Sequence, residues 1–191
     1  MAKIDRKELL AAGVHFGHQT SGWNPKMRPF IFSEQKGVHI IDLNRTNEKL
    51  EEAGRAMRQI ASSGRKILFV ATKKQARKTV TEMAQKVNMP YVTERWLGGM
   101  MTNFATIRRS VKKMENIENL LNDDSATSLT KKERLLMARQ KQKLETVLGG
   151  IKNLNRIPAA IFMVDTNYEH IALKEADKLG MRTFAMVDTN S

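Results

Sequence analysis

The sequence predicts an α/β protein, a doubly wound parallel sheet carrying an inserted antiparallel helical hairpin. Three observations carry this. From about Thr46 to residue 102, and again from Ala159, short apolar runs alternate with amphipathic stretches of helical length. The run Ile67-Leu68-Phe69-Val70-Ala71 is apolar at every position, as a strand covered on both faces must be. Residues 103–148 interrupt the alternation with two helical seams of period seven.

Taken in order, Asp5 and Glu8 have capping-box spacing, and Leu9 to Ala12 continue a short helix that Gly13 ends. Residues 14–29 show no periodicity and are rich in Gly, His, Asn and Pro. Phe30-Ile31-Phe32 and Val38-His39-Ile40-Ile41 flank Gly37 as a hairpin does. A helix is expected over about Thr46–Ser63, with Leu50, Ala53, Met57 and Ile60 on one face and Gly64 as its stop. After the 67–71 strand, Thr72 is placed to cap a helix bearing Ala76, Val80, Met83 and Val87, and Tyr91-Val92 is a brief strand. Ala159–Val164, a helix over about Tyr168–Leu179 stopped by Gly180, and Thr183–Val187 complete the alternation.

Within the interruption, Ile107, Met114 and Leu121 recur every seven residues, with Val111 and Ile117 on the same side. Thr130 and Glu133 form a second capping box beyond a polar loop, and Met137, Leu144, Val147 and Leu148 make the return seam. Arms of about eighteen residues span roughly 27 Å at ~1.5 Å per residue. The chain thus divides into an α/β domain of residues 1–102 and 149–191 and an inserted hairpin of residues 103–148. A parallel sheet needs helices on both faces, and a buried strand lies just before Asp188-Thr189-Asn190-Ser191. The expectation is that the natural chain continues past Ser191.

Thirty-three Lys and Arg against twenty Asp and Glu give the 191 residues a net charge of +13 and a pI near 10.1. The surplus is +9 over residues 1–104, +4 over 105–150 and zero over 151–191. So large a surplus attracts polyanions and opposes self-association, which points to nucleic acid as partner and to no homo-oligomer. The chain has no cysteine, which excludes disulfides and thiolate metal sites. No signal-like apolar stretch opens it and no run is long enough to span a bilayer, so the expected compartment is the cytoplasm, without membrane association.

Catalytic signatures are missing from the sequence. No G-x-G-x-x-G follows a strand, no P-loop or nucleophile elbow occurs, and Thr72-Lys73-Lys74-Gln75 offers no glycine for a pyrophosphate. Asp165 and Asp188 fall at carboxyl ends of strands, where ligands of such sheets bind, but capping of the next turn is the simpler role. His15 and His18 have chelating spacing without local carboxylates or thiols to complete a zinc set. No enzyme, cofactor or metal is expected.

Binding chemistry is present instead. His15 and His18 precede Trp23-Asn24-Pro25-Lys26-Met27-Arg28-Pro29, where a ring stands among cations. Lys73, Lys74 and Arg77 open the helix after the buried strand, and Arg95-Trp96-Leu97-Gly98-Gly99 repeats the Arg–Trp pairing. The hairpin adds Arg108, Arg109, Lys112, Lys113, Lys131 and Lys132. Guanidinium and ammonium groups suit phosphates, and exposed rings suit unpaired bases. The competing roles are anchoring for Trp23 and Trp96 and a solvated face for the hairpin cations.

Ala12-Gly13-Val14-His15-Phe16-Gly17-His18, Trp23-Asn24-Pro25-Lys26-Met27 and Gly37-Val38-His39-Ile40-Ile41-Asp42-Leu43 closely resemble the opening of the bacterial ribosomal protein S-two family. Arg95 through Asn103, Leu129-Thr130-Lys131-Lys132-Glu133, Leu148-Gly149-Gly150-Ile151, Glu169-His170-Ile171-Ala172 and Ala185 through Ser191 resemble its later signatures, in order. The resemblance implies a flavodoxin-like domain with an inserted coiled-coil hairpin, and a seat on small-subunit (16S) ribosomal RNA at the back of the subunit, between head and body. It also implies contacts with neighbouring small-subunit proteins, roles in assembly and initiation through docking of ribosomal protein S-one, and more sheet and a C-terminal helix after Ser191. Ser21-Gly22, Ser33-Glu34-Gln35-Lys36 and Leu154-Asn155-Arg156 depart from the family pattern. The rival readings are a nucleotide-binding enzyme using Asp165 and Asp188, and a protein adaptor using the hairpin alone.

Overall fold

A computed structural model describes residues 5–122 and 130–191. The loop between the hairpin seams lies mostly outside them.

The N-terminal region is small and built on turns. Asp5 caps α1 (Arg6–Ala11) by accepting from the Lys7 N–H at 3.2 Å, while the Glu8 N–H goes to the Asp5 carbonyl. Gly13, at φ 72°, turns the chain out of it. β1 (Phe16–Gln19), β2 (Ile31–Gln35) and β3 (Val38–Ile41) form an antiparallel sheet in the order β1-β3-β2. Lys36 and Gly37, at φ 52° and 75°, make the β2–β3 connection a left-handed turn of the kind that matches strand twist. β1 is a strand that the sequence did not announce, because Gly17, His18 and Gln19 carry no β pattern.

α2 (Leu43–Ser62) begins three residues before the sequence expectation. The Asp42 carboxylate accepts the Asn44 N–H at 2.8 Å, so the cap precedes Thr46, and Leu43 is buried. Then β4 (Ile67–Val70), α3 (Lys74–Lys86), β5 (Tyr91–Val92), β6 (Ala160–Val164), α6 (His170–Lys178) and β7 (Arg182–Met186) build a parallel sheet in the order β5-β4-β6-β7. By appearance in the chain, that is the second, first, third and fourth parallel strand, the flavodoxin-like order. Thr72 does not cap α3. Lys73 holds the N-cap position, and Met83 and Val87 face outward, about half exposed, with Ala84 turned inward instead.

Residues of β4 and β6 alternate between two cores, as period two requires. Leu68, Val70, Ile161 and Met163 pack with Trp96, Met100, Met101, Ile107, Val111, Met114, Leu148, Ala172 and Ala176. On the other face Ile67 and Ala160 meet Ile60 of α2, with Phe69, Phe162 and Phe184 alongside. Both faces of β4 and β6 are covered. By contrast β7, read from the sequence as a buried strand, holds no buried residue and leaves Met186 60% exposed, because no helix among the described residues follows it.

α4 (Phe104–Asn122) and α5 (Lys131–Leu148) pack against each other, and the Thr130–Glu133 capping box closes at 3.3 and 2.9 Å. α4 buries Ile107, Val111, Met114 and Ile117 of the seam read from the sequence, while Leu121 at its far end is only half-buried. Since Ile107, Val111, Met114 and Leu148 sit in the same cluster as Leu68 and Val70, the base of the hairpin is part of the α/β core. Among the described residues no helix is long and apolar enough to cross a membrane.

Candidate nucleic-acid interface

The candidate residues fall into three groups, held by different elements. The first lies where β1 meets the end of the chain. Gly17 must lack a side chain, since a Cβ there would stand 2.7 Å from Thr189 Cγ2 and 3.1 Å from the His39 carbonyl oxygen. Thr189 is fully buried. Its hydroxyl accepts from the His18 N–H at 2.9 Å and its carbonyl from the Asn24 N–H at 2.8 Å. His18 Nδ1 lies 2.8 Å from Asp188 Oδ2, whose other oxygen accepts the Thr189 N–H, so Asp188 serves the turn as expected. Trp23 is half-buried with its ring 5.0 Å from that of His39, which makes it an anchor for its loop. Asn24 caps the turn Pro25–Phe30 through the Lys26 N–H at 3.0 Å and leaves Lys26 and Arg28 exposed. His15 is half-buried against Phe16, ring centroids 4.1 Å apart.

The second group gathers at the carboxyl ends of β4, β5 and β6. This is where the strand order reverses, and where doubly wound sheets take their ligands. Here the protein fills the position itself. The Glu169 carboxylate, 3% exposed, accepts the Thr72 N–H at 2.5 Å just ahead of α3, a place where such folds hold a phosphate. Burial pushes the Glu169 carboxyl above its ordinary 4.5, against the Thr72 hydrogen bonds that favour its charge. Lys73 bridges to Asp165 at 3.0 Å. Asp165 Oδ1 accepts the Asn167 and Tyr168 N–H groups, so this residue caps a turn. Burial raises the Asp165 carboxyl, yet Lys73 and those N–H groups outweigh it and hold it below 3.8. Arg77 donates to the Thr72 carbonyl at 3.0 Å and to Glu94 at 2.7 Å, whereas Lys74 and Arg95 are exposed.

Beside Arg95, the Trp96–Asn103 loop is organised around a carboxylate that sequence reasoning missed. Glu175 is 8% exposed and accepts from Trp96 Nε1, the N–H groups of Gly99, Met101 and Thr102, and the Thr102 hydroxyl, at 2.7–3.1 Å. Burial opposes its charge, but these donors prevail and the carboxyl sits below its ordinary value. Trp96 is therefore an anchor with its N–H already used. The available signal was the spacing Ala172, Glu175, Ala176, which places an acid on the core stripe of a helix.

The third group is the hairpin. Arg108 is half-buried and donates to the Lys152 carbonyl at 2.9 Å, tying α4 to the segment after α5. Glu118 accepts from Lys152 at 2.7 Å and Lys141 at 2.9 Å, and these ammonium groups hold its carboxyl at about 2. Arg109, Lys112, Lys113, Lys131 and Lys132 are exposed. The first and second groups are linked by the Asn167 amide donating to the Asn190 carbonyl at 2.8 Å.

Residues 9–191 match a family model described as ribosomal protein S2. The chain is 61% identical over 189 residues to the small ribosomal subunit protein uS2 of Cytophaga hutchinsonii, covering 99% of this chain and 74% of that protein. To the uS2 of Christiangramia forsetii it is 60% identical over 189 residues, spanning 63% of that protein. To the uS2 of Chlorobaculum tepidum it is 56% identical over 188 residues, spanning 76%.

Proposed function

The chain belongs to the ribosomal protein S2 family, and from that premise we propose that it is a structural protein of the small ribosomal subunit, working in the cytoplasm and not as an enzyme. It holds small-subunit ribosomal RNA at the junction of head and body on the back of the subunit. The exposed cations Lys26, Arg28, Lys74 and Arg95 meet phosphates from the α/β domain, while Arg109, Lys112, Lys113, Lys131 and Lys132 of an inserted hairpin reach a separate stretch of RNA. His18, Lys73, Arg77 and Arg108 contribute by fixing the backbone that carries these groups.

The observation that supports this reading over a nucleotide enzyme is the closed switch point. Thr72 N–H and Lys73, the groups that would receive a phosphate, are taken by Glu169 and Asp165. Cosedimentation with small subunits depleted of this protein tests it. Each phosphate neutralised contributes about 0.7–0.9 to the slope of log affinity against log salt. Replacing Arg109, Lys112 and Lys113 together with Glu is expected to weaken association at least tenfold and to reduce that slope by about 2. Unchanged cosedimentation overturns the assignment of these residues.

Phe16 and Phe32, 61% and 74% exposed on the N-terminal sheet, favour a protein partner as well. Docking of ribosomal protein S-one there supports the role in initiation and assembly. The double variant Phe16→Ser, Phe32→Ser is expected to keep the RNA interaction and lose S-one from the subunit.

A further inference from the structure

The closed switch point leaves a cleft beside it. About 290 Å³ in volume, it lies between the ends of β4 and β5 and the start of α6, lined by Arg95, Tyr168, Glu169 and Ile171 among others. Its walls are unusual for a surface that only solvates. Tyr168 and Ile171 are 55% and 45% exposed, the Arg95 guanidinium is exposed, and the wall contains a carboxylate, Glu169, that is 3% exposed. A free nucleotide is a poor fit, because its phosphate would approach Glu169 and Glu94 rather than the N–H that Glu169 already holds. A base offers the opposite chemistry. It has a flat face for an aromatic ring and a guanidinium, and its amino group donates to a carboxylate.

We propose that this cleft takes one unstacked, amino-bearing base of ribosomal RNA (guanine, adenine or cytosine), stacked against Tyr168 and Arg95 with its amino edge donating to Glu169. The proposal rests on the RNA-binding reading above and adds to it a site that reads a base, in which Arg95 gives its guanidinium plane to the base while the other exposed cations meet phosphates. Tyr168 and Glu169 adjoin Asp165, whose bonds to Asn167 and Tyr168 set the turn that presents the ring.

The test is base-specific chemical probing of depleted small subunits, with and without the full chain, alongside an association constant. The wild-type chain is expected to protect the pairing edge of a single unpaired nucleotide. Tyr168→Ala should abolish protection at that nucleotide alone and weaken association on the order of tenfold. Tyr168→Phe should retain both, and Arg95→Ala should weaken the same protection. If Tyr168→Ala and Arg95→Ala leave protection and affinity unchanged while the hairpin charge reversal weakens binding, the cleft holds no base and the RNA-binding reading stands. If the charge reversal also binds like wild type, that reading fails and takes this proposal with it.

Discussion

Glu175 shows how one buried carboxylate shapes a surface loop. Its five donors come from residues 73–79 positions away in sequence, and they fix Trp96, Gly99, Met101 and Thr102 at once. Glu175→Gln turns two acceptors into one and aims N–H groups at N–H groups. The expected cost is about 3 kcal/mol, read by urea denaturation. Since the folded carboxyl lies below its ordinary 4.5, its contribution is fully present above pH 4.5 and is lost as pH falls through the folded value. The gap between wild type and variant should therefore narrow on acidification. Glu169 runs the other way, because its raised carboxyl contributes most below pH 4.5 and less as pH rises through the folded value. Gly150 makes a steric prediction. A Cβ there would overlap the Tyr91 carbonyl oxygen and stand 2.8 Å from the Tyr91 ring, so Gly150→Ala should cost about 2 kcal/mol in the same measurement. Little of this was legible in the sequence. Ala172-x-x-Glu175-Ala176 marks a core-facing acid, but nothing local says which N–H groups it meets. Trp96 reads equally as platform or anchor until Glu175 is placed beside it.

At the scale of elements, periodicity spoke where packing is one-sided and fell silent elsewhere. In the seam of α4, Ile107, Val111, Met114 and Ile117 are buried as their spacing required, and Leu121 beyond them is half-buried. The return helix is less amphipathic, with Leu135 and Leu136 more than half exposed and only Leu148 fully buried. What joins α5 to α4 near its middle is thus partly ionic. Glu118 holds Lys141 of α5 and Lys152 beyond it, and its carboxyl at about 2 keeps that link charged throughout the ordinary pH range. Glu118→Gln is expected to speed amide hydrogen exchange in the middle of α5 while β4 and β6 keep their protection. Equal exchange in both proteins would mean that the apolar seam alone holds the helices together. β1 and the early start of α2 escaped the sequence for a related reason. Gly17 is there for Thr189, 172 positions away, and the Asp42 cap is one side-chain bond with no periodic trace.

The whole molecule has the sheet order of a ligand-binding fold and a charge distribution suited to a polyanion. Its net +13 resides in the first 150 residues, as the sequence alone establishes. That the sheet is parallel follows from β/α alternation and its flavodoxin-like order is implied by the family resemblance, but closure of the switch point follows from neither. It depends on Glu169 and Asp165, whose positions in sequence would serve equally well for ribose or metal. The two uses differ in one measurable respect. A ligand that binds only the folded state stabilises it by RT ln(1 + [L]/Kd), about 2.7 kcal/mol at one hundred times Kd, and several degrees in melting temperature for a domain of this size. With Glu169 on the Thr72 N–H and Lys73 paired, millimolar nucleoside triphosphate should leave the melting temperature within a degree of the free protein. Depleted small subunits should still bind the chain under the same conditions. A clear nucleotide-induced shift would mean that Glu169 leaves the Thr72 N–H when a phosphate arrives, and the crevice would again be a ligand site.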